Sequence, residues 1–249
     1  MAKLVCHHSL ITTWIYGTKY LSLENITITN MRNKFYNANE VFNHFWFKIQ
    51  SRGIDFDNTL AMFNVGFEIQ HPLKNTIETP WRDWNKKYAE AEWQWYLSGD
   101  PSIKKLGKIY GKVPKIWERM ADDKGEVRSN YGWQWQRNNQ IDKVVKLLKE
   151  KPDTRKASIS IYDAKEFDTY SSDTPCTYAV NFTISQNRLN MSVVMRSNDL
   201  WFGFCNDQYC FSMLHKMIAD TLSMDQGTYY HFAQNFHIYK KQLKDHAGY

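Results

Sequence analysis

The sequence predicts an α/β protein of the α+β type, with a mixed β-sheet flanked by helices in a single domain. Three observations predict this class. First, 43% of the 249 residues are hydrophobic, which is enough for one sizeable core. Second, segments with helical spacing of apolar residues occur beside β-branched, alternating segments, without the regular alternation of strand and helix that builds a parallel sheet. Third, no internal repeat or low-complexity linker divides the chain.

Helices are predicted where apolar residues recur every three or four positions. These segments are residues 38–51, 81–97, 140–151 and 208–222. We expect the second helix to end at the run Ser98-Gly99-Asp100-Pro101, because glycine favours the helix C-cap and proline cannot continue a helix. Pro152 ends the third in the same way.

Strands are predicted in short runs that are rich in β-branched and aromatic residues. These runs are residues 59–69, 156–162, 177–185, 188–197 and 228–239. Helices and strands are mixed irregularly along the chain. We therefore expect one mixed sheet.

The charge and the cysteines restrict the class of function. The net charge is +6, which indicates an anionic partner such as a nucleotide phosphate or a nucleic acid, although the basic residues are spread along the chain. No stretch approaches the roughly 18 to 20 apolar residues of a membrane span. The 4 cysteines show neither a CxxC pair nor zinc-ligand spacing, so we expect free thiols, no metal and a cytoplasmic location.

One of these thiols is a candidate nucleophile. Cys176 follows Pro175 at the head of a predicted strand, and Arg196 lies on the neighbouring predicted strand. An arginine there can hold an anion and can lower the pKa of the thiol. The alternatives are a cysteine that acts as a small buried hydrophobe and an arginine in an ordinary surface ion pair.

Several ordered motifs resemble the thymidylate synthase family and, within it, the phage deoxycytidylate hydroxymethylases. The motifs are AEWQWYLSGDPSI, KIWERMADDKGEVRSNYGWQW, KPDTRKASISIY, DTPC, MRSNDLWFGFCND and FHIY. The resemblance covers roughly residues 38–242 and implies a thymidylate synthase-like catalytic domain over residues 36–249, with residues 1–35 unplaced. It also implies a homodimer, a pyrimidine nucleoside monophosphate as substrate and 5,10-methylenetetrahydrofolate as co-substrate.

The resemblance implies catalytic roles for residues that match the family motifs. Cys176 matches the nucleophile that adds to C6 of the pyrimidine. Glu92 matches the glutamate that organises water and moves protons around the base, and Tyr131 matches a tyrosine of the proton-transfer network. Asp199 matches the aspartate that holds the pterin ring, and Trp117 matches an indole beside the folate.

The resemblance also implies residues that bind the nucleotide. Arg196 and Ser197 match binders of the 5′-phosphate. Arg155 and Lys156 match a basic pair that reaches the partner's phosphate site, with lysine in place of the usual second arginine. Arg52 matches another phosphate arginine, although the usual Thr/Gly-rich loop after it is absent. The residues that match the binders of the sugar hydroxyl are His237 and Tyr239.

Asp207 departs from the thymidylate synthase pattern, which has asparagine at this position. An amide suits uracil, whereas a carboxylic acid can accept from the N4 amino group of cytosine and, when protonated, donate to N3. The phage deoxycytidylate hydroxymethylases share this aspartate. We therefore expect dCMP as the substrate and assign Asp207 a catalytic role.

Two chemistries remain open at the transferred carbon. Hydride transfer from the folate gives a methyl group, and attack by water gives a hydroxymethyl group. Only 12 residues follow His237, so we expect the family's usual water-excluding C-terminal segment to be missing. The expected function is folate-dependent dCMP 5-hydroxymethyl transfer. The alternatives are a reductive methylase of dCMP or dUMP and, from another class, a non-catalytic nucleic-acid-binding protein.

Overall fold

The computed structural model describes residues 33–169 and 173–248. Of the expected N-terminal segment 1–35, residues 33–35 form a strand of the sheet, and the remainder lies outside the described residues. No helix within the described ranges combines the length and the apolar character that a membrane crossing requires.

Helices surround the sheet, and their ends follow ordinary capping chemistry. The first helix, for example, begins where the Asn37 side chain accepts the backbone N–H of Glu40 at 2.9 Å. The α-helices are α1 (Ala38–Arg52), α2 (Lys86–Leu97), α3 (Ile103–Tyr110), α4 (Lys115–Met120), α5 (Tyr131–Gln136), α6 (Gln140–Glu150), α7 (Cys205–Thr221) and α8 (Lys240–Asp245). A π-helical turn, Leu200–Phe204, leads directly into α7.

The described strands form one sheet that contains both parallel and antiparallel pairs. The strands are β1 (Asn33–Phe35), β2 (Ile54–Phe56), β3 (Thr59–Ile69), β4 (Ser158–Ser160), β5 (Thr177–Ser185), β6 (Arg188–Asp199) and β7 (Asp225–Tyr239). Their order is β1-β3-β7-β6-β5-β4, and β2 pairs with β3. The β6–β7 and β1–β3 pairs are parallel, and the others are antiparallel. The predicted mixed sheet with flanking helices is confirmed.

One face of the sheet carries the core. Along β6, Leu189, Met191, Val193 and Met195 are buried, whereas the residues between them are only partly buried. Helix α7 connects the parallel strands β6 and β7 and packs against both, and α1 packs on β3 and β7. Val194, which points to the opposite face, is only partly buried.

Two sequence predictions need correction at their ends. The helix predicted over 81–97 begins only at Lys86, because Asp83 has a left-handed backbone (φ 44°) that ends a 3-10 turn, and Asn85 then caps the helix. The strand predicted over 156–162 pairs only at Ser158–Ser160. The short helices α3, α4 and α5 were not predicted, since segments of 8 residues or fewer carry too little periodic pattern.

Candidate active site

The predicted nucleophile and the predicted phosphate arginine are neighbours. Cys176 directly precedes β5, and Arg196 lies near the end of β6, with its backbone N–H donating to the Cys176 carbonyl at 2.8 Å. The Arg196 guanidinium donates to the carbonyls of Thr174 and Pro175 at 2.9 and 3.0 Å. Its Nη2 lies 3.6 Å from the Cys176 Sγ. The arginine thus orders the chain around the thiol.

The Cys176 thiol is held in its neutral form by its surroundings. Burial raises its pKa to about 11, and the charges of Asp207, Asp173 and Asp199 add to this, while the Arg196 guanidinium opposes it. The predicted lowering by Arg196 is therefore present but is outweighed by burial. A thiolate at this position requires a base or a change in the surrounding charge when substrate binds.

Glu92 lies in the middle of α2 and is 4% exposed. Burial raises its pKa to about 7, and hydrogen bonds with Tyr88, Tyr96 and Asn206 oppose that rise. A carboxyl group with a pKa near neutrality can both give and take a proton, which suits a general acid–base.

Tyr88 links Glu92 to the predicted folate-side indole. The Tyr88 hydroxyl donates to Glu92 Oε1 at 2.8 Å and accepts the Trp117 Nε1–H at 2.6 Å. Trp117 also packs edge-on against Trp95, with ring centroids 5.4 Å apart. Tyr88 was not among the predicted site residues, although it lies one helical turn before Glu92.

Asp207 lies in the first turn of α7, where its Oδ2 accepts the Asn198 Nδ2–H at 2.7 Å. Burial and the charges of Glu92 and Asp199 raise its pKa well above the ordinary value, whereas the Asn198 hydrogen bond opposes the rise. The protonated acid is therefore favoured. Asn198 is 2% exposed and was not predicted as a site residue.

Asp199, at the end of β6, caps the π-helical turn. Its two carboxylate oxygens accept the backbone N–H groups of Trp201, Phe202 and Gly203 at 3.0, 2.7 and 3.3 Å. These bonds fix the turn that leads to Asp207. The pterin contact expected of Asp199 stays a prediction.

His237 and Tyr239 lie near the end of β7, where His237 is the cross-strand partner of Asp199. His237 Nδ1 is 2.9 Å from the side-chain oxygen of Asn235, and its ring meets Tyr239 edge-to-face with centroids 5.2 Å apart. Ser197 is the cross-strand partner of Asn235. The predicted phosphate and sugar residues thus lie at adjacent ends of β6 and β7.

Tyr131 begins α5, is 6% exposed and packs on Phe211 with ring centroids 5.2 Å apart. Burial raises the pKa of its hydroxyl, with further contributions from the charges of Asp207 and Cys176. The Tyr131 hydroxyl is therefore within electrostatic reach of Asp207 and Cys176. The sequence prediction for Tyr131 therefore has a compatible setting.

Two predicted residues, Arg155 and Lys156, lie outside this pocket in the single chain. Arg155 and Lys156 are exposed and precede β4, which pairs far along β5 from Cys176. The Ala157 carbonyl accepts the backbone N–H of Phe182, which lies well along β5 from Cys176. At about 3.3 Å per strand residue, the segment from Cys176 to Phe182 places the basic pair roughly 20 Å from the thiol. Arg52 is exposed at the end of α1.

No group of three His, Cys, Asp or Glu side chains within the described parts of the chain is arranged to hold a metal ion. The described cysteines, Cys176, Cys205 and Cys210, are free thiols. The site thus contains the Cys176 thiol, the Arg196 guanidinium, the Glu92 and Asp207 carboxyl groups with raised pKa values and the Tyr131 phenol. This set can carry out nucleophilic addition with proton transfer.

Comparisons with known proteins agree with this geometry. The family model described as thymidylate synthase matches residues 47–247. The deoxycytidylate 5-hydroxymethyltransferase of Enterobacteria phage T4 is 36% identical over 180 aligned residues, which cover 65% of this chain and 71% of that protein. The deoxyuridylate hydroxymethyltransferase of Pseudomonas phage M6 is 30% identical over 178 residues, which cover 69% and 50% of the two proteins.

A solved structure shows the same fold. The thermostable thymidylate synthase A from Bacillus subtilis has a TM-score of 0.69 to this chain. The match covers 83% of this chain and 81% of that structure, at 21% sequence identity. The fold class predicted from the sequence is confirmed.

Proposed function

Because the chain belongs to the thymidylate synthase family, a family of enzymes, we propose that it is a folate-dependent deoxycytidylate 5-hydroxymethyltransferase. It transfers a one-carbon unit to C5 of dCMP, and water completes the hydroxymethyl group. The observation that carries the proposal is the partly buried Asp207, bonded to Asn198 at 2.7 Å, whose surroundings favour the protonated acid. The name of the phage T4 relative supports the same substrate.

Asp207 is suited to cytosine because a carboxylic acid offers one donor and one acceptor. The O–H donates to N3, and the other oxygen accepts from the N4 amino group. Uracil has a hydrogen on N3 and an oxygen at C4, which reverses both requirements. A wrongly paired buried polar group costs about 1 to 3 kcal/mol, enough for strong discrimination.

Cys176 is the nucleophile in this proposal. Once deprotonated, its sulfur forms a bond to C6, and the electrons of the C5–C6 double bond move towards C5 and N3 as Asp207 protonates N3. C5 then bonds to the one-carbon unit, and N3 returns its proton to Asp207. C5 loses its hydrogen as a proton, and the bond between the transferred carbon and the folate nitrogen breaks, with its electron pair remaining on the nitrogen. Water adds to the resulting exocyclic methylene carbon, and the electrons return to C5–C6 as the sulfur leaves.

Glu92 and Tyr131 serve the proton transfers. Glu92, with its pKa of about 7, orients the attacking water and accepts its proton. The Tyr131 hydroxyl relays the C5 proton away from the ring. Arg196 and Ser197 hold the 5′-phosphate, and His237 and Tyr239 hold the sugar hydroxyl.

The pocket has features that fit 5,10-methylenetetrahydrofolate, which when bound supplies the one-carbon unit. Trp117, half-buried beside Glu92, offers an aromatic edge for the flat pterin. Phe202, 55% exposed, offers an aromatic surface for the rest of the molecule. Asp199 fixes the turn that carries Phe202.

The working unit in this proposal is a homodimer. On the sheet face opposite the core, Val194 and Phe232 are cross-strand partners and neither is fully buried in one chain. A second copy on this face would cover them and would bring Arg155 and Lys156 to the partner's phosphate site, which they do not reach within their own chain. A cytoplasmic location fits the free thiols, and binding of nucleic acid is not part of the proposal.

The test is folate-dependent release of tritium from dCMP labelled at C5, followed by mass spectrometry of the product. We expect release and a hydroxymethyl product. A methyl product would instead favour the reductive methylase, and faster turnover of dUMP would favour the activity named for the phage M6 relative. Release with neither nucleotide would favour a non-catalytic nucleic-acid-binding protein.

The matched variant for this test is Asp207→Asn. It replaces the protonatable acid by an amide of the same shape, so the preference should shift towards dUMP by at least about two orders of magnitude in kcat/KM. An unchanged preference for dCMP in this variant would remove Asp207 as the reader of the base.

A further inference from the structure

Asn198 forms a direct bond to the carboxyl group that reads the base. It lies at the end of β6, and Asp207 lies in the first turn of α7, so the 2.7 Å bond from Nδ2 to Oδ2 joins the strand to the helix. Asn198 is 2% exposed, and its Oδ1 has no hydrogen-bond partner among the described residues. Within the described residues, the Asn198 side chain therefore forms a hydrogen bond with the Asp207 carboxyl group alone.

The turn between these two residues is built around their bond. A Cβ at Gly203 would lie 3.0 Å from Asn198 Nδ2 and 3.4 Å from Asp207 Oδ2. Asp199 holds the same turn through the backbone N–H of Gly203 at 3.3 Å. Glycine thus leaves just enough room for the amide and the carboxyl group to meet.

The bond makes the two oxygens of Asp207 unequal. An oxygen that already accepts an N–H is the better place for the carbonyl of a carboxylic acid, because a hydroxyl oxygen is the weaker acceptor. The acid proton is therefore directed to Oδ1. Oδ2 keeps a second lone pair with which to accept another hydrogen bond.

We propose that Asn198 is a positioning residue for base specificity, which fixes Asp207 with a donating Oδ1 towards N3 and an accepting Oδ2 towards the N4 amino group of cytosine. This inference rests on the proposed function and extends it to a residue that does not itself need to touch the base. Without the amide, the acid can rotate or move its proton to the other oxygen. It then presents the reversed pattern, which uracil accepts.

A pH profile can report on this bond, because the Asn198 donor favours the charged form of Asp207 and its loss raises the pKa of that group. Activity with dCMP needs the acid form, so its loss at high pH should move to higher pH. The other ionisable groups that influence Asp207 or are influenced by it are Glu92, Asp199, Cys176, Tyr131, Tyr96, Tyr229, Cys205 and Cys210.

The experiment compares Asn198→Ala with Asn190→Ala. Asn190 lies on the same strand, and its side chain bonds to the Ser185 hydroxyl and the Thr228 N–H, outside the pocket. For Asn198→Ala we expect kcat/KM for dCMP to fall about ten- to hundredfold. We expect kcat/KM for dUMP to hold or rise, because the freed acid also presents the pattern that uracil accepts. The alkaline limb of the pH profile, where activity with dCMP is lost at high pH, should also move to higher pH. Asn190→Ala should keep the wild-type preference for dCMP over dUMP and the wild-type position of the alkaline limb.

An Asn198→Ala variant that keeps the wild-type ratio of dCMP to dUMP, or an alkaline limb that does not move up, overturns the inference while the proposed function stands. A wild-type protein that turns over neither nucleotide removes the proposed function and this inference with it. If Asn198→Ala does not fold, as judged by its thermal unfolding, Gly203→Ala takes its place. The added methyl group would crowd the bond between Asn198 and Asp207, and it should lower the ratio of kcat/KM for dCMP to that for dUMP in the same way.

Discussion

Tyr88 donates its hydroxyl hydrogen to Glu92 Oε1 at 2.8 Å, from one turn earlier in the same helix. The same hydroxyl oxygen accepts the indole N–H of Trp117. The general acid–base proposed for this enzyme is therefore oriented by a phenol, and that phenol is in turn fixed by an aromatic residue from α4. Tyr96 and Asn206 also form hydrogen bonds with Glu92.

Replacing Tyr88 by Phe should raise the pKa of Glu92 above about 7, because the hydrogen bond that this change removes stabilises the carboxylate form of Glu92. The ionisation of Glu92 in the pH profile of kcat should move to higher pH, and kcat at neutral pH should fall. Tyr110→Phe is the matched control, since Tyr110 packs on Tyr88 with centroids 5.2 Å apart but bonds to Asn85. Equal profiles for the two variants would contradict the proposed link.

Replacing Cys176 by Ser should abolish turnover, because a serine hydroxyl is a far weaker nucleophile than a thiolate at neutral pH. Binding of dCMP should largely persist, since the phosphate is held elsewhere, and calorimetry would measure it. Cys210→Ser is the control for losing a buried thiol. Retention of more than a few per cent of wild-type activity by Cys176→Ser would contradict covalent catalysis.

Replacing Arg155 by Ala should raise the KM for the nucleotide strongly if this arginine completes the partner's phosphate site. Mixing this variant with Cys176→Ser should restore some activity, because one hybrid site regains both intact residues. Lys151→Ala is the control, as an exposed cation in the same loop. Absence of recovery after proven subunit exchange would place the action of Arg155 within its own chain.

Stability should fall in acid because His231 is buried and uncharged. Burial lowers its pKa to about 3, so between that value and the ordinary value near 6.5 only the unfolded chain binds the proton. Stability is therefore present above about pH 6.5 and is lost as the pH falls. His231→Phe, which keeps a ring beside Phe67, should flatten the dependence by about 1.4 kcal/mol per pH unit between about pH 6 and 4.

Chemical denaturation across that pH range measures the slope. His71→Phe, which replaces an exposed histidine, is the control for removing an imidazole. An unaltered slope in His231→Phe would show that His231 is protonated in the folded state or that other groups dominate the acid response.

The long elements could be predicted from the sequence because their periodic patterns report burial directly. The segment 38–51 shows a helical apolar face, and its buried residues Val41, Phe45 and Ile49 are the ones that pack in the core. The motif around Cys176 likewise pointed to a site that the fold brings together with Arg196.

Supporting contacts could not be predicted in the same way. Tyr88 and Asn198 act through single hydrogen bonds to Glu92 and Asp207, and a tyrosine in a helix or an asparagine in a strand gives no periodic pattern for this. The pKa of Cys176 could not be predicted either, because the balance between Arg196 and burial depends on how deep the pocket is.

The turn between β5 and β6 lies far from the chemistry, yet it sets the alignment of the reacting groups. Gln186 and Asn187 both have positive φ, 52° and 57°, which is the geometry of a two-residue hairpin turn whose twist matches the strands. From there the pairing runs up both strands, with one register shift between Ala179 and Thr177, to the Thr177–Met195 pair, one residue before Cys176 and Arg196 take their places. A change of register that starts at this turn, roughly 30 Å away at about 3.3 Å per residue, would offset thiol and guanidinium against each other. The two-residue length of this remote loop is therefore part of what aligns the nucleophile with its arginine.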